Sequence, residues 1–481
     1  MRPVLGAVFT PLPWARWALD RLDAPTRVAK GASFCDPTAG EGVFAMALAK
    51  AWAEGAGSFD PALARRITLI DRHGAFLEAF ARRWRDHWGA PFPETNLIET
   101  DVVTHPPEVH FDLVAGNPPW ITYPDLDQAD QERYRPWFTA LGLVGGASQL
   151  LLGRSRLDVA ALVTARVFQS LVVPGGRAGF FLPLSLFHNE GTPERWRRWR
   201  PDAVFDLTES RPFAGVSTRC GWAEFTLAPT EASAPPRLNY FTGTPAAWVH
   251  HQAVTDTPGG PWRLLEPGTS AVLPHLTLEP WQRPRQGVNT GGCNAAFHVG
   301  APPPGVDPRC VHPLAGKTDR WILVPYDRDG RLWDEDEVER SGLAGWWKPW
   351  KERMAARRGV FLGSQLSKGR WWALLGVGAY AFAPYKVVWS AYGKGRLDAQ
   401  VYGPRDDGSV WQADQALQAY VPCTTQADAH RVTDFLNGPG VGAYLAGLRG
   451  AGTRSWAQPG RFKPLWRWSP ASGTGVAATG S

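Results

Sequence analysis

A chain of 481 residues with 44% hydrophobic and 12% aromatic content, including 25 Trp, can bury a large core and is far too aromatic for a solvated, disordered polymer. Its net charge of +6 is uneven: residues 281–481 hold 25 Lys+Arg against 16 Asp+Glu, and residues 1–280 hold 26 against 29, which suits a polyanion gripped by the rear half and processed by the front half. Cys35, Cys220, Cys293, Cys310 and Cys423 are scattered and odd in number, which excludes a disulfide framework and leaves no pair at metal-ligand spacing; with no long apolar leader in MRPVLGAVFTPLPWARW and no spanning stretch, the expectation is a soluble cytoplasmic protein that uses neither metal nor membrane.

Apolar runs of strand length recur at 32–36, 66–71, 95–101, 111–117, 177–183, 203–209 and 222–229. Helical patterns separate the early ones, as in VFAMALAKAWAEG and GAFLEAFARRWRDHW, and DVAALVTARVFQSLV precedes the fifth. That alternation predicts a mostly parallel sheet covered on both faces. Too little chain separates the last two runs for a crossover helix, so they are expected to pair antiparallel at one edge. APTEASAPPRLNYFTGTPAA, residues 228–247, reads as a connection, giving a first domain over 1–235 and a second over 250–468. The second is irregular, with RWILVPY and YKVVWSAYG as strand-like pieces, and 469–481 reads as a disordered tail.

Chemistry concentrates where the early strands end. The first run feeds DPTAGEGVF, in which Gly40 and Gly42 allow a tight turn that brings backbone close to a ligand. Alone, that turn fits NAD, a flavin or a purely structural role, and it lacks GxGxxG spacing. Asp71 ends the second run, where it can bond ribose hydroxyls, and Asp101 ends the third, where it can accept from an adenine amine. Singly, each Asp reads equally well as a helix cap; on successive strand ends they read as one pocket. The fourth run, FDLVAGNPPW, stops in Asn117-Pro118-Pro119-Trp120. The Asn117 side-chain carbonyl and the Pro118 backbone carbonyl are two fixed acceptors for a planar NH2 group, and Trp120 offers a face on which a base can stack.

In this order, DPTAGEGVF, the two strand-end aspartates and NPPW resemble the S-adenosylmethionine-dependent amino-methyltransferases, and in particular the gamma-class DNA N6-adenine methyltransferases similar to the TaqI and Eco57I enzymes. The resemblance covers about residues 5–230. It implies a doubly wound, Rossmann-like α/β sheet of seven strands with an antiparallel final strand, followed by a mixed C-terminal target recognition domain. It implies that Phe9, Thr10 and Pro11 line the methionine end of the cofactor with Asp36, Gly40 and Gly42 close by, that Asp71 holds the ribose and Asp101 the adenine. It also implies transfer of methyl from S-adenosylmethionine to N6 of a flipped adenine in double-stranded DNA, leaving S-adenosylhomocysteine, with Trp120 and Phe213 of RPFAGVST gripping the base from both faces.

NPPW departs from the commoner NPPY but keeps a stacking ring, and Asn at 117 favours adenine over the N4-cytosine relatives. QGVNTGGCNAAF (286–297) resembles the start of the recognition region. Lys348, Lys351, Arg353, Arg357, Arg358, Lys368, Arg370 and Lys386 are expected mostly on phosphates, whereas Trp346, Trp347 and Trp350 fit core and contact equally. Residues 121–146 are expected to form a loop at the DNA mouth. The rival readings are an RNA or protein-glutamine amino-methyltransferase, a DNA N4-cytosine methyltransferase, and a non-catalytic DNA-binding subunit. In a restriction-modification or phage-defence system, cleavage would fall to a separate nuclease, helicase or other subunit.

Overall fold

A computed structural model describes residues 8–144, 158–188, 199–227, 237–256, 260–265, 272–317, 319–357, 360–392, 396–414, 417–449 and 456–469. The chain divides into two compact units, Met1–Thr269 and Ser270–Ser481. Arg358 and the stretch 470–481 of the expected tail lie outside the described residues.

The first unit opens with α1 (Leu12–Arg21), which follows Pro11, and α2 (Ala24–Ala29). Strands β1 (Phe34–Asp36), β2 (Ile67–Asp71), β3 (Leu97–Glu99) and β4 (Phe111–Gly116) follow, with α3 (Val43–Ala56) and α4 (Gly74–Trp88) between the first three. Next come α5 (Gln128–Ala140), α6 (Val159–Ser170), β5 (Val172–Pro183), β6 (Ala203–Asp206) and β7 (Cys220–Thr226). Helix α3 buries Phe44 and Leu48 among Ala45, Ala47, Ala49 and Ala51, whose small side chains let it lie close to its neighbours, and α4 buries Leu77, Phe80 and Trp84 along one stripe. The central strands are apolar on both faces. Cys35, Ile70, Val114 and Phe180 belong to one core cluster, and Phe34, Leu69, Leu113 and Phe181 belong to another.

Strands β8 (Arg237–Thr244), β9 (Ala247–Thr255) and β10 (Trp262–Leu265) complete one ten-stranded sheet of order β10-β9-β8-β6-β7-β5-β4-β1-β2-β3. Strands β3, β2, β1, β4 and β5 are parallel, and β7 is antiparallel to both β5 and β6. The sheet is therefore Rossmann-like and mixed, with two corrections to the sequence reading. It has ten strands rather than seven, and the antiparallel pair is internal, because β6 continues into β8 by parallel pairing. Residues 237–247, taken as linker for their Pro, Ala and Thr content, form β8 and the hairpin turn into β9; residues 228–236 lie outside the described set. Leu238, Tyr240 and Thr242 alternate along β8 and are buried, a period-2 strand signal that the flanking turn residues mask in the sequence.

The second unit is built from short strands: β11 (Leu276–Leu278), β12 (Arg285–Gln286), β13 (His298–Val299), β14 (Val311–Pro313), β15 (Trp321–Leu323), β16 (Tyr385–Ser390), β17 (Gln400–Tyr402), β18 (Gln418–Cys423) and β19 (Trp466–Trp468). They form sheets of order β12-β18-β16-β17 and β13-β15-β14, plus a β11–β19 pair. Helices α7 (Gln426–Asn437) and α8 (Pro439–Gly447) share a core with Val387, Trp389, Val421 and Phe462. Trp347 is fully buried and donates to the Ala296 carbonyl at 2.8 Å, so it is core, whereas Trp346 is 40% exposed.

Two of the cations expected on phosphates are internal. Lys386 is 1% exposed on β16, and Arg357 is buried with its guanidinium bonded to the carbonyls of Thr290, Met354, Trp371 and Ala373. Composition counts charge without reporting which charges reach solvent. Among the described residues, no helix is long and apolar enough to cross a membrane.

Candidate active site

A cavity of about 720 Å³ opens at the carboxyl ends of β1, β2 and β4. Of the sequence-predicted residues, Phe9, Thr10, Asp36, Gly40, Asp71, Asp101, Asn117 and Pro119 line it; Pro11, Gly42, Pro118, Trp120 and Phe213 do not. Pro11 instead precedes α1, and Gly42, at φ 71°, precedes α3, where a Cβ would lie 2.2 Å from the Phe80 ring.

The aspartates shape the pocket before any ligand arrives. Asp71 accepts from the Gly40 amide at 2.8 Å through Oδ2 and from the His73 amide at 2.8 Å through Oδ1, tying the β1 turn to the end of β2. Burial raises its pKa, an effect those two amides oppose. Asp36 is almost fully buried and accepts from the Thr38 amide at 3.2 Å; burial, with the Asp71 charge adding, holds its carboxyl well above the usual carboxylate range. Gly40 sits at φ 50°, and a Cβ there would lie 3.6 Å from the ring of Phe9, which is 53% exposed at the cavity wall.

At the elbow, the Asn117 amide nitrogen donates to the Val8 carbonyl at 2.9 Å and to Thr10 Oγ1 at 3.2 Å. A backbone carbonyl can only accept, so these contacts determine which end of the amide is nitrogen. Asn117 Oδ1 is left buried with no hydrogen-bond partner among the described residues. An orphaned acceptor of this kind costs free energy in isolation and suits a donor that arrives later.

Trp120 donates its indole N–H to the Phe181 carbonyl at 3.2 Å, and its ring meets that of Phe213 edge to face, with centroids 5.0 Å apart at 88°. Phe213 is buried and packs in the same way on Phe181 at 5.4 Å. The structure thus brings the two rings together, but perpendicular and in mutual contact rather than as two faces with a slot between them.

Sequence reasoning missed the wall contributed by α5. The stretch after the elbow was expected to form a loop at the DNA mouth; residues 128–140 are instead a helix whose Asp130 and Tyr134 line this cavity, while 145 and 146 lie outside the described residues. Tyr134 donates to Asp101 Oδ2 at 2.9 Å, and Arg72 donates to both the Tyr134 hydroxyl and Asp130. Asp127, which caps the Asp130 amide at 2.8 Å, was the available start signal, and Pro136 within the helix obscured it. Among the described residues, no group of three or more His, Cys, Asp or Glu could hold a metal ion.

No protein-family model matches the chain, and no curated protein matches it by sequence. Solved structures do. The Type IIL restriction-modification enzyme MmeI, in complex with DNA, superposes with a TM-score of 0.54 at 13% identity over 93% of this chain and 64% of that one. A nuclease-deletion mutant of the Type ISP restriction-modification enzyme LlaGI, bound to a DNA substrate mimic, gives 0.50 at 12% identity over 86% and 42%. The chain therefore shares a fold with restriction-modification enzymes and spans less than two thirds of either of these two.

Proposed function

We propose that this chain transfers a methyl group from S-adenosylmethionine to N6 of an adenine flipped out of duplex DNA, as the modification component of a restriction-modification or phage-defence system. One observation carries the reading: the Asn117 amide is held by Val8 and Thr10 with its Oδ1 orphaned, at the wall of a cavity that Asp36, Asp71 and Asp101 also line.

The donor set fits the cofactor. Asp71 and the Gly40 turn suit the ribose, Asp101 suits an exocyclic amine, and Phe9 and Thr10 suit the methionine end. When bound, the cofactor supplies a methyl group on a sulfonium, activated enough that alignment provides much of the rate gain. The chain's own part is to hold the target. Asn117 Oδ1 and the Pro118 carbonyl accept the two amine hydrogens, which turns the nitrogen lone pair toward the methyl and lets the proton leave to solvent during or after transfer. Because the Trp120 and Phe213 rings touch, entry of a base between them requires the two rings to part.

The reading is supported further by the restriction-modification fold and by exposed Lys348, Lys351, Arg353 and Lys368 in the second unit, which can neutralise phosphates. The test is incubation of the purified chain with methyl-labelled S-adenosylmethionine and unmethylated duplex DNA, followed by digestion to nucleosides. Labelled N6-methyladenine is expected. Label in N4-methylcytosine would overturn the base assignment, and DNA that gains no label would overturn the substrate.

A further inference from the structure

Both oxygens of Asp101 are already engaged by the protein. The Val103 amide donates to Oδ1 at 2.9 Å, and the Tyr134 hydroxyl donates to Oδ2 at 2.9 Å. Tyr134 is itself held: Arg72 donates to its oxygen at 3.1 Å and anchors on Asp130 at 3.0 Å, with Arg133 on the other Asp130 oxygen at 2.9 Å. A phenol that accepts from a guanidinium while donating to a carboxylate is polarised along the chain, and its rotamer is fixed at both ends. A carboxylate has about four lone-pair directions, so two remain for a ligand, and two anchored bonds set the plane in which they lie. Tyr134 is 5% exposed, and the ring that carries the hydroxyl packs in the core, so the arrangement is built in rather than a surface encounter.

We propose that Tyr134 is the positioning residue for Asp101, setting the angle at which that carboxylate receives the exocyclic amine of the adenosyl group and thereby the preference for adenine over a 6-oxo purine. This rests on the cofactor assignment above. A 6-oxo purine presents a carbonyl where adenine presents N–H, and a carboxylate fixed in the right plane accepts from the one and repels the other; a carboxylate free to swing discriminates less. Because α5 begins only eight residues after Trp120, the same contact ties the adenine end of the pocket to the chain leaving the elbow.

The test is calorimetric titration of S-adenosylhomocysteine and of S-inosylhomocysteine into the full chain and into Tyr134→Phe, which keeps the buried ring; thermal melting checks the fold. Wild type is expected to prefer the adenosyl ligand by about 10-fold or more, the scale of one hydrogen bond to a charged group. In Tyr134→Phe that preference should fall several-fold through weaker adenosyl binding, with inosyl binding nearly unchanged. Arg72→Met, which frees the phenol without removing it, should give a smaller loss in the same direction. Undiminished preference in Tyr134→Phe, or equal weakening of both ligands, would overturn the positioning role alone. Failure of wild type to bind either ligand would overturn the cofactor assignment and this role with it.

Discussion

Gly116 and Asp36 are so close that a Cβ on Gly116 would lie 2.9 Å from Asp36 Oδ1 and 3.4 Å from Pro37 Cδ. The strand that ends in the Asn-Pro-Pro-Trp elbow therefore packs directly on the carboxylate at the end of β1, and only the absence of a side chain allows it. Gly116→Ala should displace Asp36, cost about 1–3 kcal/mol of stability as overpacking does, and weaken S-adenosylhomocysteine binding. Urea denaturation and calorimetry check both; a variant equal to wild type in both would mean that Asp36 yields freely.

Asn117→Ala should lower methyl transfer by roughly 10²–10³-fold, the scale of a lost, preorganised electrostatic contact. Cofactor-product affinity should change far less, because Asp71 and Asp101 remain. Single-turnover transfer and calorimetry separate the two quantities, and undiminished transfer would remove the clamp from the mechanism.

The Trp120–Phe213 contact predicts a gated base site. With 2-aminopurine at the target position, wild type should show a fluorescence rise on binding as the base unstacks. Phe213→Leu, which preserves much of the buried volume, should bind S-adenosylhomocysteine normally yet transfer methyl more slowly. Equal transfer rates would make Phe213 a core residue only.

Lys386 gives the second unit a pH signature. Its ammonium nitrogen donates to the Ala383 carbonyl at 3.3 Å, and burial lowers its pKa from 10.5 to about 7. His312, lowered to about 3 by burial and by the Lys386 charge, is neutral across this range. Below pH 7 the lysine carries its proton in both folded and unfolded states, and its burial cost is fully present. Between about pH 7 and 10.5 the unfolded chain holds the proton and the folded chain does not, so this contribution to stability rises with pH. Lys386→Met should therefore melt higher than wild type at pH 7, by about 2–4 °C for each kcal/mol of relieved cost, with the gap narrowing toward pH 9. A gap independent of pH would place a charged lysine in the folded state throughout.

Exposed and buried cations should differ in DNA binding. Lys348→Ala and Lys368→Ala should each reduce the slope of log affinity against log salt by about 1, with little effect on sequence preference. Lys386→Met should leave that slope unchanged. Filter binding or fluorescence anisotropy over a salt series decides it.

Local signals carried much of the first unit. Short apolar runs bounded by turn residues fit strands buried on both faces, and the Gly-rich turn, the strand-end aspartates and the double-proline elbow each restrict the backbone within a few residues, so β1 to β7 and the cavity-lining Gly40, Asp71, Asp101, Asn117 and Pro119 were legible from residue order, whereas Phe9, Thr10 and Asp36 came only from the family resemblance. Tertiary structure decided the rest, because it depends on which distant groups meet. Strands β8 to β10 join the sheet through pairing that Pro and Ala in the turn disguise, Trp120 and Phe213 touch although 93 positions apart, and Tyr134 reaches Asp101 from a helix that no periodicity announced. The same holds for charge: the rear half's basic excess is written in its composition, but that Lys386 is buried while Lys348 faces solvent is set by tertiary packing, and only an exposed cation can release a counterion.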